Sequence, residues 1–140
     1  MVVEKLLVSQ LIDYINQNKD NISLPCYVML GLPLKTEGEA LWLSVLGKAQ
    51  PQQKYIRAKF SGTFPFALYY RMTAKELDGM EAKMMIPSEN LEIFLVDKQL
   101  IFDGIYISKI EQTKGAAIFS RSEDGSVTYQ SLWSATFNER

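Results

Sequence analysis

Apolar residues at Val3, Leu6, Leu7, Leu11, Tyr14 and Ile15 recur at three- and four-residue steps, so the chain opens with an amphipathic helix. The run Asn16-Gln17-Asn18-Lys19-Asp20-Asn21 is poor in helix formers and ends it. Leu24 to Leu32 reads as a strand, with Pro25 at its start, where a missing N–H donor is tolerated, and Gly31 and Pro33 at its close. Ala40 to Leu46 is too short and too apolar on both faces for a surface helix and reads as a buried strand. From Lys54 to Phe60, Ile56, Ala58 and Phe60 alternate with Tyr55, Arg57 and Lys59, the pattern of a half-buried strand. Ser61-Gly62-Thr63 is expected to turn the chain, and Phe64 to Arg71 is strand-like again.

Residues 73–98 read as one helical region broken near Pro87. Thr73-Ala74-Lys75-Glu76 has capping-box spacing, although Gly79 interrupts the helix it would start. Pro87-Ser88-Glu89 opens a second stretch, Asn90 to Asp97, with Leu91, Phe94 and Leu95 on one face. The last third is strand: Ile101 to Ile110 and Ala116 to Ser120, with turns expected at Asp103-Gly104 and Lys114-Gly115. Asp124-Gly125 between two strand-like runs signals a hairpin. Beyond it Val127, Tyr129, Trp133, Ala135 and Phe137 alternate with polar residues, predicting a long half-buried final strand. The expected fold is α+β: a mostly antiparallel β-sheet with the N-terminal helix and the central helical region packed on one face.

Composition narrows the class. At 140 residues, 47% apolar and 22% charged, the chain fits one globular domain, residues 1–140, that needs no disulfide or metal to fold. Glu4 and Asp13 interrupt the first apolar segment, so neither a signal peptide nor a membrane span is expected. A net charge of −1 gives no global attraction to nucleic acid or anionic lipid. There is no histidine, which removes the commonest general base and the imidazole metal ligand.

Little else offers chemistry. Lone Cys26 lies in an apolar run, without the cationic or helix-terminal setting of a reactive thiol, and reads as a core residue. Glu76, Asp78, Glu81, Glu89 and Glu92 read as a solvated helix face rather than a pair poised for acid–base work. Asp124 reads as a turn residue, since a calcium loop needs further oxygen ligands at alternating positions. No phosphate-binding fingerprint is present, and Gly115-Ala116-Ala117 leads into a strand, not a helix. No catalytic residue, metal or cofactor is expected.

Charge is distributed in blocks. Lys48, Lys54, Arg57, Lys59, Arg71 and Lys75 occupy a stretch from Ala40 to Lys75 with no acid, whereas Glu76 to Asp103 carries seven acids against Lys83 and Lys98. Three accounts stay open: the two blocks pair within one molecule; they form opposite faces that stack copies head-to-tail; or the basic strands touch DNA phosphates.

The residues also resemble the small minor capsid, or tail-terminator, proteins of long-tailed bacteriophages and prophages of Gram-positive bacteria. The likeness runs over nearly the whole chain: the N-terminal helix leading through Leu24-Pro25 into Tyr27 to Leu32, the strand Phe64 to Arg71, the strand Ile107 to Thr113, and the hairpin Arg121 to Gln130. Lys114 to Ala117, where the family pattern has a proline, and the Pro87 break depart from it. The resemblance implies a non-enzymatic virion protein at the tail–head junction, made in the bacterial cytoplasm. It implies a ring, commonly of six copies, that caps the tail tube and joins it to the head connector, or neck. DNA passes through the lumen without sequence recognition, and no membrane is involved. Within that reading Lys54, Tyr55, Arg57 and Lys59 form a subunit-contact or lumen surface and Glu76, Asp78 and Glu81 are its acidic counterparts. Arg71 is either interface or an internal partner for a helix carboxylate. Two other classes remain: a small ligand- or peptide-binding module with Tyr69, Tyr70, Tyr106 and Trp133 lining a pocket, and an enzyme using a lone carboxylate such as Glu111 or Asp103.

Overall fold

A computed structural model describes residues 3–31, 39–46, 50–54, 60–72, 81–96, 98–102, 105–123 and 125–139. Two helices open it, α1 (Val3–Gln17) and the single turn α2 (Lys19–Ile22), followed by β1 (Val28–Leu30), β2 (Ala40–Val45), β3 (Gln50–Lys54) and β4 (Phe60–Met72). Helix α3 (Glu81–Leu95) precedes β5 (Leu100–Phe102), β6 (Ile105–Arg121) and β7 (Val127–Glu139). The fold is α+β. Its sheet runs β1-β2-β4-β7-β6-β5, and β3 also pairs with β4. Because β7 lines one edge of β4 from Ser61 to Met72, β2 and β3 share the other.

Alternation along the long strands separates two faces. Leu41 and Leu43 of β2, Phe64, Phe66, Leu68, Tyr70 and Met72 of β4, and Val127, Tyr129, Trp133, Ala135 and Phe137 of β7 share one core. Leu7, Val8, Leu11, Ile12 and Ile15 of α1 and Leu91 and Leu95 of α3 complete it, so both long helices cover the same face. A stack of Tyr14 on Phe94, centroids 5.6 Å apart, ties the helices to each other.

The sheet is mixed, which corrects part of the antiparallel expectation: β1 runs parallel to β2, and every other described pairing is antiparallel. Ser61-Gly62-Thr63 is not a turn but the start of β4. Lys54 and Phe60, expected on one strand, are register partners on two antiparallel ones, and the alternating residues 55–59 between them lie outside the described residues. The strand expected at 24–32 is confined to Val28–Leu30.

Two expected breaks are absent. Helix α3 continues through Pro87, whose fixed φ suits a helix even though its missing N–H costs one bond. Burial of Leu91 and Leu95 holds the helix where propensity alone would end it. Lys114-Gly115 likewise lies inside β6, which spends 17 residues against the 13 of β7. The surplus is absorbed by register shifts between Ile107 and Lys109, Gln112 and Lys114, Lys114 and Ala117, and Ile118 and Ser120. Each shift adds local twist and bends the strand, so the sheet curls. A hairpin does join β6 to β7, with Gly125 at φ +90°, a conformation open to glycine, while Asp124 lies outside the described residues. The Thr73–Glu76 capping box and Asp103-Gly104 lie outside the described residues.

Candidate interaction surfaces

Tyr55, Arg57, Lys59, Glu76 and Asp78 lie outside the described residues, Lys54 ends β3, and Glu81 begins α3. Arg71 is thus the one expected contact residue whose side chain is described, and it is buried. It alternates with Tyr70 and Met72 along β4, so it leaves the sheet on the face away from α1 and α3. Its guanidinium carbon lies 5.7 Å from the centroid of Trp42.

Arg71 belongs to a second side-chain cluster that ties four strands together on this face. Trp42 of β2 stacks on Tyr69 of β4, with centroids 5.3 Å apart and planes at 13°. Phe119 of β6 meets Tyr69 edge-on at 5.1 Å, and the Gln130 amide of β7 donates to the Tyr69 hydroxyl at 2.9 Å. The aromatic pocket expected from Tyr69, Tyr70, Tyr106 and Trp133 therefore divides. Tyr70 and Trp133 are in the core, while Tyr69 and Tyr106, opposite Asn138, project from the other face.

Concavity occurs elsewhere. A groove of about 520 Å³ runs between the end of α2 and the second half of α3, lined in part by Asn21, Ser23, Asn90, Ile93 and Lys98. At its inner wall the Lys98 ammonium rests 3.7 Å from the centroid of Phe94. Ser23, at φ 59°, ends α2 in the left-handed region, and the N–H groups of Ser23 and Leu24 close the turn on the carbonyls of Asp20 and Lys19.

Cys26 is half-buried against the core, and its thiol is pushed up from the ordinary range first by burial and then by the negative charge of Glu39. The Leu41 N–H, which would favour a thiolate, and the Lys19 charge oppose this and do not prevail. The thiol is thus protonated at neutral pH and a poor nucleophile. Iodoacetamide at about pH 8 is expected to label the folded chain more slowly than the urea-unfolded chain. Mass spectrometry gives both rates, and equal rates would remove the protection argued here.

The sheet's two outer edges are finished differently. Asn16 of α1 donates its amide to the Val28 carbonyl at 2.9 Å and accepts the Val28 N–H at 2.8 Å. One side chain thereby stands in for a neighbouring strand and closes the β1 edge. At the other end β5 pairs only with Ile105–Ile107 of β6, and the rest of β6 extends beyond it as one side of the long β6–β7 hairpin. Among the described residues, large apolar side chains are exposed together at Tyr27, Met29 and Leu30 on and beside β1, at Ile86 and Ile93 on α3, and at Ile118 and Phe119 on β6, and singly at Leu46 and Ile101. These residues, unlike the basic and acidic blocks, do not stand out in the sequence, because each taken alone looks like ordinary strand or helix.

Among the described residues no three His, Cys, Asp or Glu side chains gather as a metal site, and no helix is long and apolar enough to cross a membrane. No protein-family model matches the chain, and no curated protein matches it at a significant level.

Proposed function

We propose that the chain is a non-enzymatic assembly protein of the tail-terminator type. In this reading copies form a ring, six being the number the resemblance implies, that caps a phage tail tube, stops its growth and joins it to the head connector. DNA passes through the lumen without being read. Lys54, Tyr55, Arg57 and Lys59 on one side, and Glu76, Asp78 and Glu81 on the other, supply contact or lumen surface, and Arg71 braces the sheet from within.

The observation that carries this reading is the outer part of the β6–β7 hairpin. Beyond Ile107 β6 is paired on one side only among the described residues, and Ile118 and Phe119, on opposite faces of it, are exposed to 44% and 55%. Apolar side chains left exposed along an open strand edge suit contact with another chain. The α+β order of an N-terminal helix, a central strand and a final hairpin agrees with the family pattern.

The test is negative-stain imaging of particles assembled without this protein. Tails of uncontrolled length beside full, separate heads are expected; normal particles would refute the reading. The groove between α2 and α3 favours a second reading, a small ligand- or peptide-binding module, since its volume suits a small organic ligand. That reading requires a chain that stays monomeric and gains melting temperature with such a ligand.

A further inference from the structure

Strand β6 carries one residue too many where it passes the middle of β7. Lys114 pairs with Leu132 and Ala117 with Gln130, so Gly115 and Ala116 together face the single residue Ser131. A bulge of this kind interrupts the ladder and leaves the extra residue unpaired. Beside it lies a cavity of about 10 Å³, lined in part by Ser88 of α3, Ala116 of β6 and Ser131 of β7. Ser88 and Ser131 are only 5% and 1% exposed. Each hydroxyl oxygen already accepts a bond: Ser88 from the Gln112 amide at 2.6 Å, Ser131 from the Trp133 indole N–H at 2.9 Å. Each also has a proton to donate. Among the described residues neither proton has an acceptor, and the two hydroxyls do not bond each other.

We propose that this cavity binds one water molecule, which accepts the protons of both Ser88 and Ser131 and so ties α3 to the β6–β7 bulge. The room is about what a single water needs and too little for a larger ligand. Cavities that stay dry are apolar, whereas this one is walled by two buried hydroxyls that are costly to leave unmet. Gln130 lines it as well. Its side chain is bonded to Tyr69 on the opposite face, so it presents backbone to the cavity. Leu91 and Leu95 seat the later turns of α3 by apolar packing, which has no direction. The water gives the turn at Ser88 a directional tie to the sheet.

A crystal structure that shows ordered water, together with a double-mutant cycle in urea, tests the proposal. One oxygen is expected within hydrogen-bond distance of both Ser88 Oγ and Ser131 Oγ. Ser131→Ala is expected to lower the folding equilibrium constant about fivefold or more. With Ser88→Ala already in place, the same change should do about twofold less or smaller still, because the shared water has lost one of its holders. The Trp133 bond is lost with Ser131 in either background, and the better helix propensity of alanine enters with Ser88→Ala in either background. Both therefore cancel in the cycle. A cavity without that oxygen, or losses that multiply as if the two serines were independent, overturns the proposal.

Discussion

Replacing Trp133 by alanine is expected to lower stability by about 3–5 kcal/mol. For a two-state domain of this size that is a fall in melting temperature on the order of 10–15 °C. Trp133 is among the largest fully buried side chains, lies in the middle of β7, and stacks on Phe66 with centroids 6.0 Å apart and planes at 15°. Its indole N–H donates to the Ser131 hydroxyl at 2.9 Å, and Ser131 is itself buried. Truncation therefore leaves a cavity beside Phe66 on the core face of the sheet and removes the donor from a hydroxyl shut away from bulk solvent. Trp133→Phe keeps the stack and loses the hydrogen bond, so it should cost less than half as much. Thermal unfolding by circular dichroism measures both, and equal losses for the two variants would mean that packing volume contributes little.

Much of this core was legible because Phe64, Phe66 and Leu68, and Val127, Tyr129 and Trp133, alternate on strands that keep register with each other. Legibility ended where the structure adds or reverses something without a local mark. Lys114-Gly115 reads as a turn, yet four register shifts let β6 run straight through it beside the shorter β7. Pro87 reads as a helix start, yet tertiary burial carries α3 across it. The parallel pairing of β1 with β2 depends on where the chain between them returns, which residues 28–45 do not encode as a pattern. Arg71 was readable as a basic strand residue, but its face follows from the parity it shares with Tyr69, whose partners lie on β2, β6 and β7.

The contact surfaces were harder to read than the core. Charge blocks show in a sequence because signs can be counted along it, whereas Ile86 and Ile93 become conspicuous only when Leu91 and Leu95 fix which side of α3 meets the sheet. Ile118 and Phe119 likewise look like core strand until β6 is seen to be a sheet edge beyond Ile107 among the described residues. Asn16 is the clearest instance: its place in a polar run suggests only a helix end, and the structure adds an edge-closing role between residues twelve apart.

That double bond makes Asn16→Asp a substitution of one atom group with a pH signature. The amide offers both a donor, to the Val28 carbonyl, and an acceptor, to the Val28 N–H. A carboxylate keeps only the second and sets negative charge against the carbonyl oxygen, so a loss of about 2–3 kcal/mol is expected at neutral pH. A protonated carboxyl can make both bonds again. The folded state thus prefers the protonated form and raises the introduced group's pKa above its unfolded value of about 3.9. Its stabilising effect is fully present below the unfolded pKa and is lost as pH rises through the folded one. Urea unfolding of the variant and the unaltered chain should therefore give curves that converge toward about pH 4 and separate by pH 7. The same separation should bring a concentration-dependent loss of soluble protein, because the bared Val28 groups reopen the β1 edge to strand pairing. A gap independent of pH would mean that Asn16 contributes through packing of α1 rather than through its bonds to Val28.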